Sequence, residues 1–165
     1  QANPAVPNLP AFPKLTAEQI DPVRAFLKAA DMAGDLLASD DLPGFLGAAP
    51  KVKLASDQLL RVFPADDPWR ALALVAQEKS VFPAAADIKA ARRQFHPFSQ
   101  AAVSMALALR RAEKDFSELK VFRCPMTKDA FEGAPRRVEW IQLKDSVRNP
   151  YFGAEMLDCG AEVKP

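Results

Sequence analysis

Apolar residues recur at helical spacing from residue 16 to residue 112, and this periodicity limits the fold more than any other feature of the chain. Thr16 and Gln19 have the spacing of a capping box, and Asp21-Pro22 resembles a helix start. The apolar positions that follow lie on one helical face: Val23, Phe26, Leu27, Ala30, Ala33 and Leu37. We therefore expect this part of the chain to be helical.

Prolines divide the periodic region into segments. The second apolar pattern, over residues 45–63, is interrupted by Pro50, so we expect a kinked or broken helix there. Pro68 opens a third segment, Pro83 separates it from a fourth, and a fifth begins at Pro97. The sequence therefore predicts a mainly α protein whose four to five helices form an antiparallel bundle.

The C-terminal part differs from the helical region, beginning near residue 117. Residues 121–123 and 138–143 favour extended chain because they are rich in β-branched and aromatic side chains. Between residues 150 and 159 we expect a short helix that Gly160 ends. We interpret 117–165 as a loop-rich appendage with short extended segments, attached within one helical domain over 16–165.

The start of the chain and its two cysteines suggest a compartment. Residues 1–15 alternate proline with small side chains, which predicts an extended arm outside the core. The chain begins at Gln1 without methionine, as a mature product does after its signal peptide is removed. Two cysteines fit an oxidising environment with one disulfide, and they equally fit a reduced pair of metal thiolates. We therefore expect a periplasmic or secreted protein.

Charge, hydropathy and missing motifs exclude several functions. The 22 basic and 21 acidic residues leave a formal charge of +1 and form no long block, so we expect no nucleic-acid partner. Arg92-Arg93 and Arg110-Arg111 are expected on solvated helix faces. No apolar run approaches the roughly 18 residues of a membrane span, so we expect no membrane insertion. Phosphate-loop, zinc-protease and serine-hydrolase motifs are missing, and we expect no enzymatic activity.

Sulfur-containing side chains cluster near the C-terminus, in Cys124-Pro125-Met126 and again at Met156 and Cys159. On a helix, Met156 and Cys159 would share a face, and in extended chain Cys124 and Met126 would point the same way. Soft sulfur ligands favour copper(I) or silver(I) over harder ions. The set predicts a metal site with two thiolates and two thioethers, and His96, the single histidine, is a candidate imidazole ligand.

Two other interpretations use the same residues. A Cys124–Cys159 disulfide would close a long loop and stabilise the fold by about 4 kcal/mol, giving an envelope interaction domain without metal. Alternatively, His96 with a methionine could ligate haem inside a helical bundle. Met32 and Met105 lie on apolar helical faces and are expected to fill the core.

Motifs of the C-terminal part follow one another in a characteristic order: Cys124-Pro125-Met126, Trp140-Ile141-Gln142, Arg148-Asn149-Pro150-Tyr151-Phe152-Gly153, Met156-Leu157 and Cys159-Gly160. This order resembles the uncharacterised C-terminal domain of copper/silver-efflux periplasmic adaptor (membrane fusion) proteins. Residues 92–99 match the Arg-x-x-Phe-x-x-apolar-Ser helix of that family. The resemblance implies a stand-alone periplasmic domain in heavy-metal resistance, which binds the metal ion and sequesters it or delivers it to an efflux adaptor or another envelope protein.

Overall fold

The computed structural model describes residues 12–164, so residues 1–11 of the predicted N-terminal arm lie outside the described part. Its α-helices are α1 (Ala17–Ala38), α2 (Leu42–Arg61), α3 (Pro68–Glu78) and α4 (Ile88–Ala112). Its strands are β1 (Lys120–Cys124), β2 (Val138–Gln142) and β3 (Ala161–Glu162). The prediction of a mainly α protein with extended segments near the C-terminus is confirmed.

The first helix begins at the predicted capping box. The backbone N–H of Thr16 donates to Oε1 of Gln19 over 3.0 Å, and α1 starts at the next residue. Pro22 lies inside α1 and does not begin it, so the expectation of a helix start at Asp21-Pro22 was wrong. Burial of Val23 and Phe26 in the core offsets the hydrogen bond that Pro22 cannot make.

The predicted helix boundary at Pro97 was also wrong, and the second helix, expected to be kinked or broken at Pro50, is not broken there. α2 continues through Pro50, and α4 continues through Pro97, so the predicted fourth and fifth segments form one helix of 25 residues. A proline inside a helix costs about 3 kcal/mol because it removes a backbone hydrogen bond and crowds the preceding turn. Phe95 and Phe98, on either side of Pro97, are both buried, and their burial offsets that cost.

The helices enclose an aromatic core. α1 packs against α2 and α4, and α3 packs against both α2 and α4. The ring of Phe98 meets those of Phe26 and Phe82 edge-on at 5.7 and 5.5 Å between centroids. Met105 is fully buried in α4, as expected for a core methionine. No helix within residues 12–164 combines the length and hydropathy that crossing a membrane requires.

The chain that leads into α1 also contacts this core. Phe12 lies 4.5 Å from the ring of Trp69, and the indole N–H of Trp69 donates to the carbonyl of Pro13 over 2.8 Å. Leu15 is buried. The last residues of the predicted arm therefore pack on the helices.

A small antiparallel sheet follows the helices, with strand order β2-β1-β3. β2 packs against α1 and α4, and the register places Phe122 of β1 opposite Trp140 of β2, where the two rings stack at 6.0 Å. β3 was not predicted, because a strand of two residues carries no periodic signal.

The predicted helix over residues 150–159 was wrong. This segment is irregular, with one short 3₁₀ turn at Gly153–Glu155. The side chain of Asn149, which is fully buried, bonds the backbone N–H of Tyr151 and the carbonyl of Cys159, both over 2.8 Å. These contacts replace the helical hydrogen bonds that the sequence pattern suggested.

Candidate functional site

The two cysteines meet at one corner of the sheet. Cys124 ends β1 and Cys159 lies just before β3, and the pairing of Arg123 with Ala161 brings these ends together. The structure joins the cysteines in a disulfide whose Cα atoms are 5.7 Å apart. The disulfide that the sequence analysis gave as an alternative to the metal site is therefore present, and in this state neither sulfur is a thiolate.

Both methionines of the predicted site lie close to the disulfide along the chain. Met126 follows Cys124 in the loop between β1 and β2, and 57% of it is exposed. Met156 is partly buried, and its carbonyl accepts the backbone N–H of Cys159 over 3.1 Å. A turn, not the predicted helical face, therefore relates Met156 to Cys159.

His96 lies among aromatic side chains. It sits on α4, half-buried, with Nδ1 at 3.4 Å from the hydroxyl of Tyr151 and its ring 5.5 Å from that of Phe131. Burial lowers the pKa of His96 below its usual value, which favours the neutral ring. Burial raises the pKa of Tyr151, which keeps its phenol protonated.

Within residues 12–164, histidine, cysteine, aspartate and glutamate side chains form no group of three or more that could hold a metal ion. A site built on Cys124 and Cys159 would therefore depend on the thioethers of Met126 and Met156. It would also require reduction of the disulfide, because only a free thiolate is a strong ligand.

Arg92 joins the helices to the segment that contains Cys159. It is buried, which corrects the expectation of a solvated face, and it donates to the carbonyls of Pro150 and Leu37 over 2.8 and 2.9 Å. Its guanidinium also pairs with Asp40 at 2.8 Å. The buried arginine thus ties α4 to the end of α1 and to the irregular segment.

Asp40 and Gly153 complete this contact. The carboxylate of Asp40 accepts the backbone N–H of Ala154 over 2.9 Å, and this hydrogen bond and Arg92 lower its pKa. Gly153 has a φ of +55°, and a Cβ there would overlap the Asp40 carboxylate and lie 2.7 Å from Nη2 of Arg92. The sequence motifs that contain Arg92 and Gly153 signalled both residues, but not this contact.

The indole of Trp140, on β2, is held by a hydrogen bond. Its N–H donates to Oε1 of Gln142 over 2.9 Å, and the same oxygen accepts the backbone N–H of Arg148 over 2.8 Å. Arg148 in turn bonds Asp35 on α1. Gln142 and Arg148 therefore bond to groups of their own chain and fix its path.

Comparison of the chain with protein-family models, with curated protein sequences and with solved structures gives no match. The resemblance to the efflux-adaptor domain therefore stays a prediction from the motifs.

Proposed function

We propose that this chain is a disulfide-stapled interaction domain that acts in the periplasm or outside the cell. The observation that carries the proposal is the Cys124–Cys159 disulfide. Disulfides persist in oxidising compartments and are rare in the cytosol, where thiols are kept reduced. The framework that presents the binding surface is the antiparallel helical bundle expected from the sequence.

Buried polar groups hold the loops of the proposed interaction domain in place. Asn149, Gln142 and Arg92 are buried, and each bonds a backbone group of its own chain. Buried polar groups engaged in this way stabilise loops. The disulfide and these bonds hold a fixed surface, and a fixed surface lowers the entropic cost of binding a partner.

Thiol counting tests the disulfide. Protein isolated from its natural host in the presence of an alkylating reagent should carry no modified cysteine, and both should react after unfolding with reductant. Protein in which Cys124 and Cys159 are both replaced by alanine is the control for labelling elsewhere. Two alkylated cysteines in the folded, freshly isolated protein would contradict the proposal.

Binding of copper(I) or silver(I) by the reduced protein is the second candidate function. It is favoured by the exposure of Met126 beside Cys124 and by the turn that joins Met156 to Cys159. Once the disulfide is reduced, two thiolates and two thioethers would be available in this corner, a soft donor set that suits monovalent copper. In this function the domain sequesters the ion or passes it to an efflux adaptor.

A methionine exchange tests this candidate. Reduced protein should bind about one copper(I) per chain, and Met156→Leu should weaken that binding while leaving the melting temperature of the metal-free protein nearly unchanged. Met105→Leu is the matched control, since Met105 is fully buried in α4. Equal copper(I) affinity in the Met156→Leu and native proteins would exclude the thioether as a ligand. Haem ligation by His96 stays a prediction that a Soret band would test.

A further inference from the structure

A groove of about 310 Å³ lies between α4 and β2. Its α4 side includes His96, Gln100, Ser104 and Leu107, and its β2 side includes Arg137 and Glu139. This volume is at the lower end of the range for ligand pockets in proteins. We call it the α4–β2 groove.

The floor of the α4–β2 groove is apolar. Val103 is buried beneath it, and Leu107 keeps 36% of its surface exposed. Gln100 and Ser104 are exposed beside them and offer polar contacts. A chain lying in the groove could therefore bury apolar side chains against α4 and hydrogen-bond at its margins.

The α4 residues that line the groove include no lysine or arginine, but basic residues lie beyond both ends of this lining on the same helix. The 25 residues of α4 include no aspartate or glutamate. Arg93 and Arg111 lie on the same helical face as Gln100, Ser104 and Leu107, at either end of this exposed stripe. Glu132 pairs with Arg93 only at 3.4 Å and is 92% exposed, so it screens that guanidinium weakly.

The β2 side of the groove carries one arginine and one glutamate. Arg137 is exposed and has no ion-pair partner among the residues that the structure describes. Glu139 is the one acidic residue that lines the groove, and Arg123 neutralises it through a contact of 2.7 Å. The groove thus combines an apolar floor with one arginine at its margin that is unpaired within residues 12–164, and Arg93 and Arg111 lie farther along α4.

We propose that the α4–β2 groove binds an acidic segment of a partner protein in extended conformation. The proposal rests on the function proposed above and assigns the docking surface and the charge of the partner. In an extended peptide, alternate side chains point to opposite sides, so apolar residues can face Val103 and Leu107 on α4 while carboxylates reach Arg137 across the groove. Nucleic acid fits less well, because the chain as a whole carries a net charge of only +1 and the floor is aliphatic.

Nuclear magnetic resonance can test the groove with a defined probe. Isotope-labelled protein, with its disulfide verified by thiol counting, is titrated with a peptide that alternates glutamate and leucine. We expect backbone shifts to concentrate in residues 96–107 and 137–139. The same peptide with lysine in place of glutamate should cause no such shifts, and raising the salt concentration should weaken the glutamate peptide because exposed charges are screened.

Two substitutions locate the binding. Arg137→Ala should weaken binding of the glutamate peptide about threefold to tenfold, and Leu107→Asp should abolish the shifts because it places a like charge in the floor. Arg61→Ala is the matched control, since Arg61 is an exposed arginine on α2 and its loss changes the net charge equally. All three variants alter exposed residues and should keep the native melting temperature.

Three results would overturn the assignment: no shifts in the groove with the glutamate peptide, equal loss of affinity in Arg61→Ala and Arg137→Ala, or stronger groove binding of an oligonucleotide than of the peptide. Because the disulfide is verified separately, these results would contradict the groove and leave the stapled domain standing. Free thiols in the freshly isolated protein would instead contradict the stapled domain, whatever the peptide does.

Discussion

The helical region over residues 17–112 and the C-terminal region over residues 117–164 are stabilised in different ways. In the helical region, stability comes from the burial of many apolar side chains. The contacts around Phe98 and Met105 are close-packed and apolar, without hydrogen bonds or covalent links between the side chains. The C-terminal region also buries apolar side chains such as Trp140 and Tyr151, but a disulfide and a few buried polar side chains fix its irregular path. A single substitution in an apolar core removes only a small part of its packing. Loss of the disulfide or of one buried hydrogen bond should cost more, because few such contacts fix the irregular path.

Arg92 links these two modes of stabilisation. It belongs to α4, yet its guanidinium satisfies carbonyls of both regions, at Leu37 and Pro150. A buried charge is tolerated only when it is paired and hydrogen-bonded, and Asp40 supplies the pair. The C-terminal region is therefore joined to the helices by specific hydrogen bonds as well as by apolar contact.

Removing the disulfide should have the largest effect. The cysteines are 35 residues apart, and the chain-entropy account gives a loss of about 4 kcal/mol for a loop of this length. We expect protein with alanine at both Cys124 and Cys159 to be destabilised by about this amount in chemical denaturation. Its far-ultraviolet circular dichroism at low temperature should keep the helical signal, since the helices do not contain the cysteines. A loss below about 1 kcal/mol would show that packing alone holds the C-terminal region.

Gly153→Ala should have the next largest effect. A Cβ at this position would collide with Asp40 and Arg92, and the positive φ disfavours alanine as well. We expect a loss of about 3 kcal/mol, measured as a fall in melting temperature of about 10 °C.

Gly47→Ala is the matched control for this substitution. Gly47 lies exposed in α2, and a Cβ there would meet no atom within 4 Å. Alanine is the better helix former, so the control should be slightly more stable than the native protein. Equal effects at the two positions would contradict the proposed contact between Gly153, Asp40 and Arg92.

Shortening a side chain in the helical core should cost less. Phe98 is fully buried and contacts the rings of Phe26, Phe82 and Phe95. Phe98→Leu keeps the site apolar and should destabilise the protein by about 1 to 2 kcal/mol, with an unchanged denaturant dependence. If Phe98→Leu destabilised the protein more than Gly153→Ala, the helical core would be the more sensitive of the two regions to a single substitution.

The smallest expected effect is the pH response of His96. Burial lowers the pKa of His96 from 6.5 in the folded state, so the unfolded chain takes up a proton first as the pH falls. The contribution of neutral His96 to the free energy of unfolding should therefore be fully present above pH 6.5 and should decline as the pH falls below that value. It should be lost once the pH is below the pKa of His96 in the folded state. Thermal unfolding between about pH 7 and pH 5.5 measures this slope.

His96→Gln should flatten that slope, because glutamine does not titrate. Asp35 and Asp40 have pKa values lowered from 3.8 and affect stability only in more acidic solution, so they do not obscure the measurement. An unchanged slope in His96→Gln would assign the pH response to another group.

The sequence alone predicted the features of the fold that are set by residues close together in the chain. The capping box places the start of α1 after Thr16, and the apolar stripe identifies the buried face of that helix. Residues 121–123 and 138–143 overlap β1 and β2 because β-branched and aromatic side chains favour extended chain locally. The sulfur cluster was also visible, since its members lie within three residues of each other in each half.

The tertiary structure decided what depends on distant partners. Pro97 does not end α4, because burial of Phe95 and Phe98 against other helices outweighs its cost. The path of residues 150–159 follows the hydrogen bonds of Asn149 and not the local helical pattern. The disulfide between residues 124 and 159 depends on the pairing of β1 with β3, which brings these distant residues together. Local sequence carries capping and periodicity, but burial and long-range pairing are set by residues far away along the chain.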